Sequence, residues 1–222
     1  MRFAFYISGT SNRVLKFLKE ASEAEKNSVK LIFSNRKLEP EIKEIIQALN
    51  IHFYERDLKE FEGNNMEERR ISFSNELLRE LTENEIDYCF SFGKYIIAGE
   101  VISKYRNRIV NFHPSILPMY PGRKPIDQAV EDTRSLLLIG NTAHFIDAGT
   151  DTGSIIMQYV VPLQTFFNSQ GNYNVVLDVQ LKMLHKVIKL LEENRISVDE
   201  EERVHIAGAD YDKGYFFPHI EE

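Results

Sequence analysis

Between residues 2 and 112, short apolar runs alternate with amphipathic stretches, and this alternation restricts the possible folds more than any other feature of the chain. Residues 2–7, 29–33, 51–54, 86–92 and 108–112 read as buried strands. Helical spacing recurs between them, at Val14, Leu15, Phe17 and Leu18, and over 40–49, 68–83 and 98–105. Residues 55–67 are polar, hold Gly63, Asn64 and Asn65, and read as a loop. Strand and helix in strict turn predict an α/β fold with a doubly wound, mostly parallel sheet. Such sheets bind ligands beyond the carboxyl ends of their strands, which directs attention to 8–12, 92–97 and 111–122.

The second half changes character. Residues 135–146 and 154–162 read as two adjacent strands bracketing a loop over 147–153. Residues 173–193 predict one long amphipathic helix, packed in cis or in a homodimer. The polar tail over 199–222 is expected to wrap the surface. No linker stands out, so the expectation is a single domain over 1–222, with a core to about 162 and a carboxy-terminal helix and tail over 163–222.

A hydrophobic fraction of 43 % with 27 % charged residues is ordinary globular usage and excludes disorder as the default. The net charge of -7 argues against nucleic acid and anionic membranes as partners, and leaves a small phosphorylated ligand to a local basic site. Cys89 is the single cysteine, lies in an apolar run and reads as a core thiol. No Cys/His cluster suggests a metal. The first residues lack a signal-peptide pattern, and no apolar run is long enough to span a bilayer, so a cytoplasmic enzyme is expected.

Chemistry concentrates in two places. Asn111 and His113 are two apart on a predicted strand, so they point to one side, and Pro114 and Pro118 stiffen the loop after the strand. An amide and an imidazole side by side can meet an oxygen that becomes negative during acyl transfer. Asp151 sits between Gly149 and Gly153, in a loop whose glycines allow tight geometry, and can orient His113 and stabilise its charged form. Taken singly, each residue is as well explained by a satisfied core histidine, a turn cap or a turn aspartate.

Residues 111–122, NFHPSILPMYPG, followed by 140–156, GNTAHFIDAGTDTGSII, resemble the folate-dependent formyltransferases and their hydrolase cousins. The resemblance covers about 1–162 and is densest over 91–162. It implies a Rossmann-like formyltransferase fold and transfer of a formyl group from 10-formyltetrahydrofolate, a co-substrate, to a small-molecule amine without a metal. On that likeness Asn111 bonds the oxyanion, His113 as imidazolium stabilises it, and Asp151 keeps His113 charged and passes the amine proton on. The pterin would lie along Phe92, Gly93, Lys94, Tyr95, Ile96 and Ile97, with Ile146 and Asp147 opposite. His144 is expected in the core or behind the site.

The same likeness assigns the acceptor phosphate to the backbone of Gly9, Thr10, Ser11 and Asn12, with Arg123 and Lys124 as further phosphate contacts. That loop is a residue short for a glycinamide ribonucleotide formyltransferase, and Thr10 stands where glycine is expected. Residues 91–97 also look like the enzymes that formylate nucleotide-linked amino sugars. The acceptor is therefore one of these two, in purine synthesis or in surface-glycan synthesis. The methionyl-tRNA formyltransferases are disfavoured by charge and by chain length. The hydrolases are disfavoured by the early first strand and by an Asn-x-His-His pattern that differs from Asn111 to Pro114. Hydrolysis with water as acceptor, and a non-catalytic folate- or nucleotide-binding protein, remain as alternatives.

Overall fold

The computed structural model describes residues 1–93, 97–132 and 137–212. They form two compact units, Met1–Asn111 with Phe145–Gly153, and Phe112–His144 with Ser154–Glu222.

The first unit runs β1 (Phe3–Ile7), α1 (Asn12–Glu20), α2 (Glu23–Ser28), β2 (Val29–Ser34), α3 (Pro40–Ala48), β3 (His52–Glu55), α4 (Met66–Glu83), β4 (Tyr88–Phe92), α5 (Glu100–Lys104) and β5 (Ile109–His113). β5 carries the chain over into the second unit after Asn111. The strands lie in the order β3-β2-β1-β4-β5 and every pairing among them is parallel. β1 is fully buried, and its period-2 alternation serves two layers at once. Phe5 meets Phe17 of α1 edge-on at 5.1 Å. Tyr6 points the other way, into a core with Phe73 and Leu77 of α4 and Val101 of α5. Helices thus cover both faces, as a doubly wound sheet requires.

Register fixes what meets at the carboxyl edge. Ile7 of β1 pairs with Phe92 of β4, and Ser91 of β4 pairs with Asn111 of β5. The loop after Phe145 starts beside the opposite, amino-terminal end of β5, where the Ile146 N–H donates to the Ile109 carbonyl at 2.8 Å.

The second unit contains α6 (Pro125–Glu131), β6 (Leu138–Phe145), β7 (Ile155–Pro162), α7 (Leu163–Asn168), α8 (Asn174–Leu177), α9 (Val179–Glu192), β8 (Ile196–Val198) and β9 (Val204–Ile206). β6 and β7 pair antiparallel, from Leu138 opposite Pro162 to His144 opposite Ile155. Ile126, Ala129, Ile139, Val161, Leu163, Phe166 and Val176 form its small apolar core. Five parallel strands against this antiparallel pair make the mostly parallel α/β architecture anticipated from the alternation.

Several expectations need correction. Helix α2 was not foreseen; a Ser22–Glu25 capping box makes it, each residue's side chain accepting the other's backbone N–H, at 3.3 and 2.9 Å. The 55–67 stretch holds a 3-10 turn (Leu58–Glu60), anchored by buried Leu58 and Phe61, and α4 starts at Met66 under an Asn65 cap. The helix expected over 173–193 is interrupted at Asp178 and becomes α8 and α9. The tail includes an antiparallel hairpin, β8–β9, closed by Asp199, which accepts from Arg203 at 2.9 Å and meets the His205 ring nitrogen at 2.8 Å. No helix among the described residues is long and apolar enough to cross a membrane.

Candidate active site

In the first unit, Asn111 and Asp151 come together although 40 residues separate them, with Asn111 Nδ2 donating to Asp151 Oδ1 at 3.5 Å. Parallel pairing of β5 places Asn111 at the carboxyl edge, and the 145–153 loop brings Asp151 to it. The loop is shaped by its own side chains. The Asp147 carboxylate accepts the Thr152 hydroxyl at 2.8 and 2.9 Å and the Gly149 N–H at 3.0 Å. The left-handed residue is Asp151 itself, at φ 54°, a region that aspartate tolerates better than most residues. The flanking glycines serve close approach instead: a Cβ at Gly153 would stand 1.9 Å from the Phe145 carbonyl oxygen, and one at Gly149 2.0 Å from the Thr152 hydroxyl.

His113 ends β5 and belongs to the second unit. It is 5 % exposed, and its Nε2 lies 2.8 Å from the Tyr120 carbonyl oxygen. A carbonyl only accepts, so Nε2 carries a proton in either charge state of the ring, and Nδ1 is the nitrogen whose protonation can change. The carbonyl is held in place by a tight turn. Ser115 Oγ donates to Met119 O at 2.6 Å and lies 3.4 Å from Tyr120 O. Tyr120 takes φ 53° and its hydroxyl donates to Asp132 at 2.7 Å.

The loop after β1 opens α1. Gly9 adopts φ 114°, and Thr10 and Asn12 are exposed. Ser11 takes the N-cap position without capping: its hydroxyl donates to Glu39 Oε2 instead, and this bond holds the Glu39 carboxyl below the usual carboxylate range. The first-turn N–H groups of α1 therefore keep no side-chain cap. Ser8 falls in the 8–12 segment expected to face a ligand, whereas Arg13 lies just beyond it. Ser8 is 2 % exposed and its hydroxyl has no hydrogen-bond partner among the described residues. Arg13 puts a cation in the first turn of α1, against the helix dipole, with its guanidinium 5.0 Å from the Phe92 ring centre. That unfavourable placement was the one available signal.

Of the expected pterin segment, Lys94, Tyr95 and Ile96 lie outside the described residues. Phe92 is buried at the end of β4. Gly93 answers to packing, since a Cβ there would stand 2.4 Å from the Tyr6 ring. The Ile97 side chain, 1 % exposed, is packed in the core with residues of α4 and α5. Ile146 also packs against that core, and the Asp147 carboxylate is engaged within its loop. His144 is buried, as expected. Arg123 and Lys124 are exposed in the second unit, with Lys124 at φ 55° starting α6. Among the described residues no group of three or more His, Cys, Asp or Glu is placed to hold a metal ion.

Comparison with known proteins finds several relatives of this chain. The chain is 31 % identical over 165 residues to a formyltetrahydrofolate deformylase of Haemophilus influenzae, covering 73 % of this chain and 56 % of that protein. It therefore spans only about half the length of that relative. It is 24 % identical over 191 residues to a phosphoribosylglycinamide formyltransferase of Bacillus subtilis, covering 86 % and 94 % of the two chains. The crystal structure of glycinamide ribonucleotide transformylase 1 from Symbiobacterium toebii superposes with a TM-score of 0.78 at 25 % identity over 93 % of both chains. The profile of the formyl transferase family matches residues 1–188, which include Asn111, His113 and Asp151, and the chain belongs to that family.

Proposed function

We propose that the protein transfers the formyl group of 10-formyltetrahydrofolate to a primary amine on a phosphorylated small molecule, either glycinamide ribonucleotide or a nucleotide-linked amino sugar. The observation that carries this reading is the approach of Asp151 to Asn111, on the strand that ends in His113 with its Nε2 proton committed. The amine nitrogen attacks the formyl carbon, and the carbonyl oxygen becomes an oxyanion. Asn111 Nδ2 is the donor for that oxygen, and its 3.5 Å bond to Asp151 is long enough to be exchanged at little cost. Charged His113 offers a second donor through Nδ1. Asp151 takes the proton that the amine sheds and passes it on to the folate nitrogen as that nitrogen's bond to the formyl carbon breaks.

The acceptor phosphate is assigned to the loop of Gly9, Thr10, Ser11 and Asn12. Uncapped first-turn N–H groups, the cation of Arg13 and the orphan hydroxyl of Ser8 support an anion there. Arg123 and Lys124, both exposed, are assigned as further phosphate contacts. The pterin is assigned to the segment from Phe92 to Ile97, through backbone groups at Gly93 and Ile97, and to Ile146 and Asp147 opposite. Hydrolysis is the second reading, favoured by the Haemophilus deformylase relative; water would then replace the amine.

The test is release of tetrahydrofolate from 10-formyltetrahydrofolate, followed by absorbance, with glycinamide ribonucleotide, a set of nucleotide-linked amino sugars, or no amine. Release that depends on one amine identifies the acceptor. Equal release without amine makes the protein a hydrolase. No release in any arm, with the donor still bound, overturns both.

A further inference from the structure

Helix α9 buries an almost unbroken apolar face, with Val179, Leu181, Met183, Leu184, Val187, Ile188 and Leu191 all inside. Gln180 lies among them at 0 % exposure. A buried amide is costly unless its hydrogen bonds are made, and an aliphatic residue there would extend the apolar face without that cost. Local rules of this kind tend to be broken where function requires it.

The partners of Gln180 show what it does. Its Nε2 donates to the Phe112 carbonyl at 3.0 Å and to Asn141 Oδ1 at 2.9 Å. Asn141, on β6 and also at 0 % exposure, donates in turn to the Val176 carbonyl at 2.7 Å. All of these groups lie in the second unit. The Phe112 carbonyl belongs to the peptide plane that leads into His113, so holding it sets the direction in which the His113 side chain leaves the backbone. The far end of the same imidazole is held by the Tyr120 carbonyl.

We infer that Gln180 is a positioning residue for His113: with Asn141 it locks the Phe112–His113 peptide plane and so aims the imidazole. The catalytic part of this inference rests on the formyl-transfer reading; the structural part does not. Correct aim matters because small misplacements of a reacting group cost up to about a hundredfold in rate.

Two variants test it. Gln180→Met keeps the volume and removes both donors. Gln180→Met with Asn141→Leu also removes the Asn141 Oδ1 acceptor that the first variant leaves unpaired, which protects the fold. Imidazole 15N signals of His113, assigned by comparison with His113→Gln, are recorded for both variants beside thermal stability, kcat and KM. The expected result is a folded double variant with shifted or broadened His113 signals. Its kcat should fall about tenfold to a hundredfold, with KM for the formyl donor within about twofold, since only reaction geometry changes. Wild-type His113 signals and wild-type kcat in a folded variant would overturn the inference. Should the unmodified protein release no tetrahydrofolate with any acceptor, the formyl-transfer reading fails alone, and the imidazole signals still decide the role of Gln180.

Discussion

Asn111 Nδ2 stands 3.5 Å from Asp151 Oδ1, at the outer limit of a hydrogen bond, so a donor and a carboxylate are held within reach without being tightly bound to each other. Catalytic hydrogen bonds are often long before substrate binds and tighten in the reacting complex.

Replacing Asn111 by Ala removes the Nδ2 donor from a side chain that is only half-buried. Turnover is expected to fall by about a hundredfold to a thousandfold, the usual loss for one oxyanion donor. KM for 10-formyltetrahydrofolate should stay within a few-fold. Steady-state release of tetrahydrofolate measures both; a fall below tenfold would remove Asn111 from that role.

Asp151 has two properties that different substitutions separate. Asp151→Asn keeps a residue type at ease near φ 54° and removes the negative charge. Turnover should collapse while stability and folate binding persist. Asp151→Ala should lose turnover equally and, in addition, about 1 kcal/mol of stability from the left-handed backbone. Thermal unfolding of the two variants side by side decides; equal melting temperatures would contradict the backbone part.

The buried hydroxyl of Ser8 lacks a partner among the described residues. An unsatisfied buried polar group costs about 1–3 kcal/mol. Ser8→Ala is therefore expected to stabilise the free protein while raising KM for the phosphorylated acceptor. Denaturant unfolding and acceptor titration report the two effects. A destabilised variant with unchanged KM would separate Ser8 from the acceptor site.

Burial pushes the Cys89 thiol up from 9.0 to about 12. A pKa raised in the folded state means that the folded protein keeps its proton when the unfolded chain has lost it. The contribution is fully present below pH 9 and declines between pH 9 and about 12, by about 1.4 kcal/mol per pH unit. Half-buried Tyr88 and buried Tyr105 are shifted upwards for the same reason and add to the alkaline loss. Urea unfolding across that range should show a shallower decline in Cys89→Ala than in the wild type. Identical slopes would indicate a thiol that ionises in the native state.

By itself the sequence determined the elements whose signals are local. Alternating apolar runs specify β1 to β5 within a residue or two, because strand burial on both faces needs continuous apolar side chains. The order of polar residues singled out Asn111, His113 and Asp151, since an amide, an imidazole and a carboxylate near sharp turns have few other joint uses. Only tertiary structure decided how distant groups meet. Sheet order, which no local pattern encodes, brings Asp151 to Asn111 across 40 residues and Gln180 to Phe112 across 68. The same long-range geometry makes the Ser11 hydroxyl, at the N-cap position of α1, a partner of Glu39. It also packs the Ile97 side chain into the core. An isoleucine or a serine reads alike in either setting, and the difference lies in which neighbours the folded sheet places beside it.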